Sequence, residues 1–369
     1  MTTSHGHGTK HTSPLRVMHV IDTLESGGAE RVAVNLANLL PRSRYEAHLC
    51  TTRAEGVLAT LIGDDVSRLR LGRNRRYDLP ALMRMTAYIR DHNVEILHAH
   101  SAAVFLAALA SALPPYPSVV WHLHGGKPAR WPYWVLARCV RGVITVTESL
   151  AVWSRQHLGI PSQRVWHIPN FSVESGVPGE APDLPGRAGG RVVCVTNIRP
   201  EKDHLTLVRA LGVVVRQLGT AHLLIVGPDR DPVYGDRLRR EISAQGLAQH
   251  VTLLGQRQDV TAILRSCDVG VLSSLDEGFP LALIEYGLAG LPVIATDVGE
   301  CADVLDHGGV GIVVPPGDPD RLAAALLSLL QAPARRAELG KAFRSRVETT
   351  YDPGRLMEQV CTVYETIRP

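Results

Sequence analysis

The chain has 369 residues, 45% of them hydrophobic and 20% charged, with a formal net charge of +3. That length exceeds one ordinary domain and suits two, each with its own core. The near-neutral balance gives no argument for a nucleic-acid partner, and the longest apolar run, Ala102–Leu113, is far short of the roughly 20 residues that cross a bilayer.

Residues 1–14 are polar, carry His5, His7 and His11, and contain no apolar h-region, so a disordered tail is expected rather than a signal peptide. A first domain is expected over 15–170. It opens with a strand, Arg16–Ile21, then Leu24-Glu-Ser-Gly27-Gly28-Ala-Glu30 and a helix to about Leu40. A glycine pair between strand and helix lets the backbone approach a phosphate, but it is not the G-x-G-x-x-G of a dinucleotide site. Further strands are expected at Ala47–Thr51, Ile96–Ala99, Val119–His122, Gly142–Thr147 and Val165–Ile168. Residues 171–190, broken by Pro178, Pro182, Pro185 and several glycines, read as an interdomain linker. A second domain is expected over 191–350, followed by a C-terminal helix within 351–369. Its apolar strands, Val192–Val195, Leu223–Val226, Val251–Leu254, Asp268–Leu272 and Pro292–Ala295, alternate with helical patterns and end on small or polar residues. That alternation predicts a doubly wound parallel sheet with ligands at the carboxyl ends of its strands.

The stretch Asp276-Glu-Gly-Phe-Pro-Leu-Ala-Leu-Ile-Glu285 carries the most chemistry. Pro280 is expected at the first helical position, with Leu281, Ile284 and Leu288 on the buried stripe. The backbone around Gly278, Phe279 and Leu281 would then form an anion site at a helix N-terminus. Glu277 lies ahead of that site, and Glu285 lies about 7–8 Å beyond it along the helix axis. Such a layout suits a ligand with hydroxyls at both ends and phosphates between, as in a sugar nucleotide. The plainer reading is a dipole carboxylate and a solvated helix-edge glutamate. Lysine is scarce in this arginine-biased chain, so Lys202, three residues after Arg199 at a strand end, stands out as a cation for a diphosphate. No Asp-x-Asp pair is read as holding a divalent ion on that diphosphate, so chemistry without a metal is expected.

The strings "NIRPEKDH", "VGPDRD", "LLGQRQDV", "SSLDEGFPLALIEYGLAGLPVIATDVGE" and "GIVVPPGDPDRL" resemble glycosyltransferase family 4, a retaining group with E-x7-E spacing, here Glu277 and Glu285. The resemblance implies a GT-B fold, in which two Rossmann-like domains face across a cleft and the final helix crosses back to the first. It implies transfer of a hexose from a nucleotide diphosphate-sugar, UDP-sugar favoured and GDP-mannose second, to the hydroxyl of a glycan, lipid-linked or small-molecule acceptor. The nucleotide-sugar is a co-substrate, and no cofactor is expected. By the same resemblance Glu277 meets sugar hydroxyls, Glu285 the ribose, Arg199 and Lys202 the diphosphate, and His124 of "WHLHGG" the sugar. Gly27 and Gly28 line the donor phosphates, and Arg257 borders the nucleobase. The usual family arginine is replaced by Asn197, which is kept among the donor contacts. A sugar-nucleotide epimerase and a non-catalytic partner subunit are the alternatives.

His98, His100 and His122 share the strand-end setting of His124. A zinc cluster is the rival reading for them, disfavoured for want of H-E-x-x-H or an accompanying aspartate set. The cysteines, scattered without C-x-x-C pairs, suggest a reducing, cytoplasmic compartment. The aromatic and basic segment Lys127–Arg141 and the run Arg68, Arg70, Arg73, Arg75 and Arg76 raise peripheral contact with the inner face of the cell membrane, against an ordinary half-buried helix.

Overall fold

The computed structural model describes residues 13–75, 78–125, 130–173 and 182–368. The chain divides into two compact units: Met1–Thr145 with Ser149–His167 and Met357–Pro369, and Val146–Glu148 with Ile168–Leu356. The N-terminal tail expected at 1–14 lies almost wholly outside the described residues.

Unit 1 is built on a parallel sheet of strands β1 (Leu15–Ile21), β2 (Tyr45–Thr51), β3 (Ser67–Arg70), β4 (Ile96–His100), β5 (Ser118–Leu123), β6 (Gly142–Thr145) and β7 (Val165–His167). Their order, β3-β2-β1-β4-β5-β6-β7, reverses at β1. Helices α1 (Gly28–Leu39), α2 (Leu79–Asp91), α3 (Val104–Ser111), α4 (Arg130–Cys139) and α5 (Glu148–Leu158) make the crossovers. The central strands are apolar and buried on both faces, as a helix-covered parallel sheet requires. Strand β3 escapes sequence reading because Ser-Arg-Leu-Arg is an exposed edge strand with one half-buried residue, Leu69. Its arginines, with Arg73, do not form a free basic patch. Arg68 donates to the Ile62 carbonyl, Arg70 pairs with Glu55 at 2.6 Å, and Arg73 is buried against Asp22 at 3.1 Å. In α4, Tyr133 stacks on Trp121 while Trp134 and Val135 are exposed, so this is a half-buried helix; Lys127 and Arg76 lie outside the described residues.

Unit 2 holds β8 (Arg191–Val195), β9 (His222–Val226), β10 (Val251–Gly255), β11 (Val269–Leu272), β12 (Val293–Thr296) and β13 (Ile312–Val314), all parallel, in the order β10-β9-β8-β11-β12-β13. The helices are α6 (His204–Gln217), α7 (Pro232–Ala244), α8 (Val260–Arg265), α9 (Leu281–Leu288), α10 (Cys301–Val304), α11 (Pro319–Leu330) and α12 (Pro333–Thr350). Several begin at an Asp-Pro step. Asp231 accepts from Tyr234 N–H at 3.0 Å and Asp318 from Arg321 N–H at 2.9 Å, with proline in the first turn where no donor is needed. These caps account for two Asp-x-Asp strings that do occur, Asp229-Arg230-Asp231 and Asp318-Pro319-Asp320. One aspartate of each is committed to a helix N-terminus, and Asp229 pairs with Arg239 at 2.9 Å.

The segment expected as a linker is part of unit 2 where it is described. Leu184 is buried, and the Arg191 guanidinium donates to the carbonyls of Leu184 at 2.8 Å and Gly186 at 3.1 Å. Residues 174–181 lie outside the described residues. The last helix, α13 (Pro353–Ile367), starts with residues of unit 2, and its remainder packs within unit 1. Arg44 pairs with Glu358 at 2.6 Å, and the buried Tyr364 hydroxyl meets His98 Nδ1 at 2.6 Å.

Tyr364→Phe removes the partner of a buried ring nitrogen. It should lower the stability of unit 1 by about 1–3 kcal/mol. All five tryptophans belong to unit 1, so their fluorescence in urea denaturation reports this loss directly.

Candidate functional site

The carboxyl ends of β8 and β11 carry a connected polar network. After β8 the chain turns through Asn197, Arg199 and a short 3-10 turn, Pro200–Lys202, before α6. Asp203 makes that turn possible by adopting a left-handed conformation (φ 44°) and capping α6 through Thr206 N–H at 3.3 Å. Lys202 is thereby aimed at the loop after β11. Its Nζ lies 2.7 Å from Glu277 Oε1, and the same oxygen accepts from Ser274 Oγ at 2.7 Å. Ser273 Oγ donates to the Lys202 carbonyl at 3.0 Å, and Leu275 N–H donates to the Glu201 carbonyl at 2.8 Å. Both charged side chains are largely shielded, 20% exposed for Lys202 and 10% for Glu277. Desolvated charges at this spacing require each other and the serine hydroxyl.

Glycine closes the loop. Gly299, at φ 53°, packs so tightly under residues 277–278 that a Cβ would collide with the Glu277 carbonyl oxygen. Glu300 N–H then donates to the Gly278 carbonyl at 3.2 Å. Helix α9 begins at Leu281, so Pro280 is the residue before the helix and not its first member. The buried face is also broader than the expected stripe: Leu281, Leu283, Ile284 and Tyr286 are buried, and Leu288 is only partly so. Tyr286 is the anchor, because its hydroxyl accepts from Val195 N–H at 2.7 Å and donates to the Val271 carbonyl at 3.3 Å, tying α9 to β8 and β11. Glu285, on the flank of that helix, accepts from Ser172 Oγ at 3.5 Å. Phe279 packs edge-on against Tyr351 at 5.5 Å.

The expected residues do not all converge. Lys202, Glu277, Gly278, Phe279, Pro280, Leu281 and Glu285 lie along one loop and helix with its facing turn. Arg199 instead is exposed and pairs with Glu201 at 3.8 Å, so it does not stand beside Lys202 as a second cation. Arg257 is held by Asp259 through contacts of 2.7 and 2.6 Å, and Asn197 is half-buried at the end of β8. Gly27 and Gly28 open α1 in unit 1, where a Cβ on Gly27 would strike the Glu30 carboxylate.

His124 also belongs to unit 1, just past β5. In-register pairing sets His19 beside His98 and His100 beside His122, and the rings cluster. His100 Nδ1 meets His124 Nε2 at 2.9 Å, His100 Nε2 meets His19 Nδ1 at 3.1 Å, and His98 Nε2 meets His122 Nδ1 at 3.0 Å. Burial pushes His19 and His124 down to about 3 and holds His98, His100 and His122 well below the usual histidine range, so the cluster is neutral at pH 7. His19 was missed in the sequence because it stands alone, on a strand far from the others in the chain.

Glu300 was also missed, although an acid directly after the strand-end glycine was its signal. Burial first, then Asp303 and Glu148, raise its carboxyl to about 7. A carboxyl raised above its unfolded value of 4.5 costs the folded chain nothing below that pH, destabilises it progressively as pH rises toward about 7, and carries its full penalty above that. Glu300→Gln should therefore raise the melting temperature relative to wild type at pH 8 and change it little at pH 4.5. Thermal scans at both pH values check this.

The comparisons agree with this architecture. Residues 189–332 match the family described as "Glycosyl transferases group 1", and residues 26–171 match "Glycosyltransferase Family 4". The phosphatidyl-myo-inositol mannosyltransferase of Mycolicibacterium smegmatis is 30% identical over 319 residues, covering 82% of this chain and 77% of that one. Its Mycobacterium leprae counterpart is 34% identical over 232 residues, which span 61% of this chain and 59% of that relative. Among solved structures, a glycosyltransferase from Rickettsia africae superposes with a TM-score of 0.80 at 16% identity, covering 96% of this chain and 99% of that one. Anabaena HepE in complex with UDP-glucose gives 0.78 at 19% identity, covering 95% and 100%. These neighbours establish the GT-B fold. Together with the relatives in sequence, they show that the chain belongs to glycosyltransferase family 4 and is a hexosyltransferase.

Proposed function

We propose that this enzyme transfers a hexose, with retention of configuration, from a nucleotide diphosphate-sugar to a hydroxyl of a glycolipid or related glycan acceptor. The observation that carries the reading is the shielded Lys202–Glu277 pair at the head of α9. A diphosphate entering there offers Lys202 a stronger anionic partner, while the first-turn N–H groups of α9 supply the positive end of a helix dipole. Glu277, released from Lys202 but still bonded to Ser274, is then available to sugar hydroxyls. The expected preference for a UDP-sugar gives way to a mannose donor, because the relatives at 30% identity or above include phosphatidyl-inositol mannosyltransferases, one of them named as GDP-mannose-dependent. A relative named as a UDP-Gal-dependent galactosyltransferase, from Escherichia coli, is 25% identical. GDP-mannose with a phosphatidylinositol acceptor is the first pair to assay, and UDP-hexoses are the second.

In the transfer step the sugar–phosphate bond breaks and the nucleoside diphosphate leaves with the electron pair. The acceptor oxygen forms the new glycosidic bond and gives up its proton. Lys202 would stabilise the charge gathering on the leaving diphosphate, the kind of contact that dominates many catalytic sites. Arg199, exposed and paired with Glu201, is assigned a lesser part. The role of His124 rests on the family likeness alone. The site would act without a divalent ion. No membrane-spanning helix is present among the described residues, and contact with a lipid surface is part of the proposal only through the acceptor.

Lys202→Ala should lower turnover about 10²–10³-fold, with Arg199→Ala costing less. Wild-type turnover in both variants would exclude the diphosphate assignment. Glu285→Gln should raise the donor KM more than it lowers kcat, since a ribose contact is the same before and during transfer. Glu277→Gln should chiefly lower kcat. Steady-state kinetics separate these outcomes, and full activity in excess EDTA is expected in the same assay.

A further inference from the structure

Glu277 uses only one of its two carboxylate oxygens inside the protein. Lys202 Nζ and Ser274 Oγ both donate to Oε1, each at 2.7 Å. Among the described residues Oε2 receives no hydrogen bond, and it is not sealed off, since the Glu277 side chain is 10% exposed.

The two donors differ in how firmly they are held. Lys202 reaches Oε1 from the turn before α6, on a flexible four-carbon stem. Ser274 stands three residues before Glu277 and is 0% exposed. Its carbonyl accepts from Thr296 Oγ1 at 2.6 Å, which ties it to the end of β12. A glutamate carboxylate turns easily, because its terminal torsion has broad wells. One fixed donor on one oxygen is therefore enough to choose where the other oxygen points. In the free protein Lys202 and Ser274 share that task. On the function proposed above, a diphosphate draws Lys202 away, and Ser274 then holds Oε1 alone.

We infer that Ser274 is a positioning residue for Glu277: it fixes Oε1 so that Oε2 is presented to a hydroxyl of the donor hexose while Lys202 serves the diphosphate. The ligand in this statement rests on the proposed function; the hold of Ser274 on Glu277 does not. A serine that merely filled space would act independently of Glu277 and of Lys202. A positioning serine depends on both, weakly while Lys202 shares the oxygen and strongly once it does not. Ser274→Ala isolates the effect, because it removes the hydroxyl and leaves the backbone bond to Thr296 in place.

The test combines steady-state kinetics and urea denaturation of the full chain. With GDP-mannose, or the UDP-hexose that wild type uses, Ser274→Ala should lower kcat about 10- to 150-fold, as expected for one lost hydrogen bond to a charged group, and change the donor KM less than about threefold. Added to Glu277→Ala, the same substitution should cost nothing further, because no carboxylate is left to hold. An unchanged kcat, an effect on KM alone, or an equal fall in the Glu277→Ala background each overturns the inference. Urea denaturation followed by circular dichroism reads the hold without any donor. There Ser274→Ala should destabilise the chain more in a Lys202→Met background than in wild type, and equal losses in the two backgrounds overturn the inference as well. If wild type transfers no hexose from any of these donors, the proposed function fails by itself, and the urea comparison decides whether Ser274 holds Glu277.

Discussion

The ion pair between Lys202 and Glu277 is the constraint around which unit 2 is arranged. A largely shielded ammonium and carboxylate gain little net stability, because desolvation offsets their attraction. Yet the chain commits several features to this pair: a left-handed Asp203 that turns Lys202 toward it, Ser274 on the carboxylate, Ser273 on the lysine carbonyl, and Gly299 packed beneath the loop. On the proposed function, a pair so supported, at the strand ends of a parallel sheet, is a held charge awaiting an anion. Tyr286 ties the helix behind it to two strands, so the charges sit on rigid elements.

Unit 1 solves a different problem with the same sheet. Parallel pairing in register brings four histidines from β1, β4 and β5 side by side, with His124 just beyond, at a depth where charge is not tolerated. The cluster survives because neutral imidazoles both donate and accept, and because Tyr364 of α13 closes one of its lines. The same helix that ends the chain therefore finishes the polar interior of the first unit.

Much of this was legible in the residues. Continuous apolar runs ending in small residues gave the parallel strands, and the Glu277–Glu285 stretch and Lys202, singled out in the sequence, meet in the fold through the Lys202–Glu277 pair. What escaped was either locally unremarkable or decided by tertiary contact. The edge strand Ser67–Arg70 has no apolar alternation to announce it, and His19 joins its cluster only through strand register. Arg199 reads from the sequence as a second cation, displaced from the usual family position at Asn197, and after the turn at Pro200–Lys202 it is exposed and paired with Glu201. In the two Asp-x-Asp strings, Asp231 and Asp318 are helix caps.

The central claim is that Lys202 receives the diphosphate, and binding measured without turnover tests it most directly. Calorimetric titration of wild type and Lys202→Met with GDP, UDP and the corresponding nucleosides separates phosphate from base. Loss of one charge-assisted contact of about 1.5–3 kcal/mol predicts a roughly 10- to 150-fold weaker affinity for the bound nucleoside diphosphate, with the nucleoside unchanged. Equal diphosphate affinity in the two proteins would contradict the account.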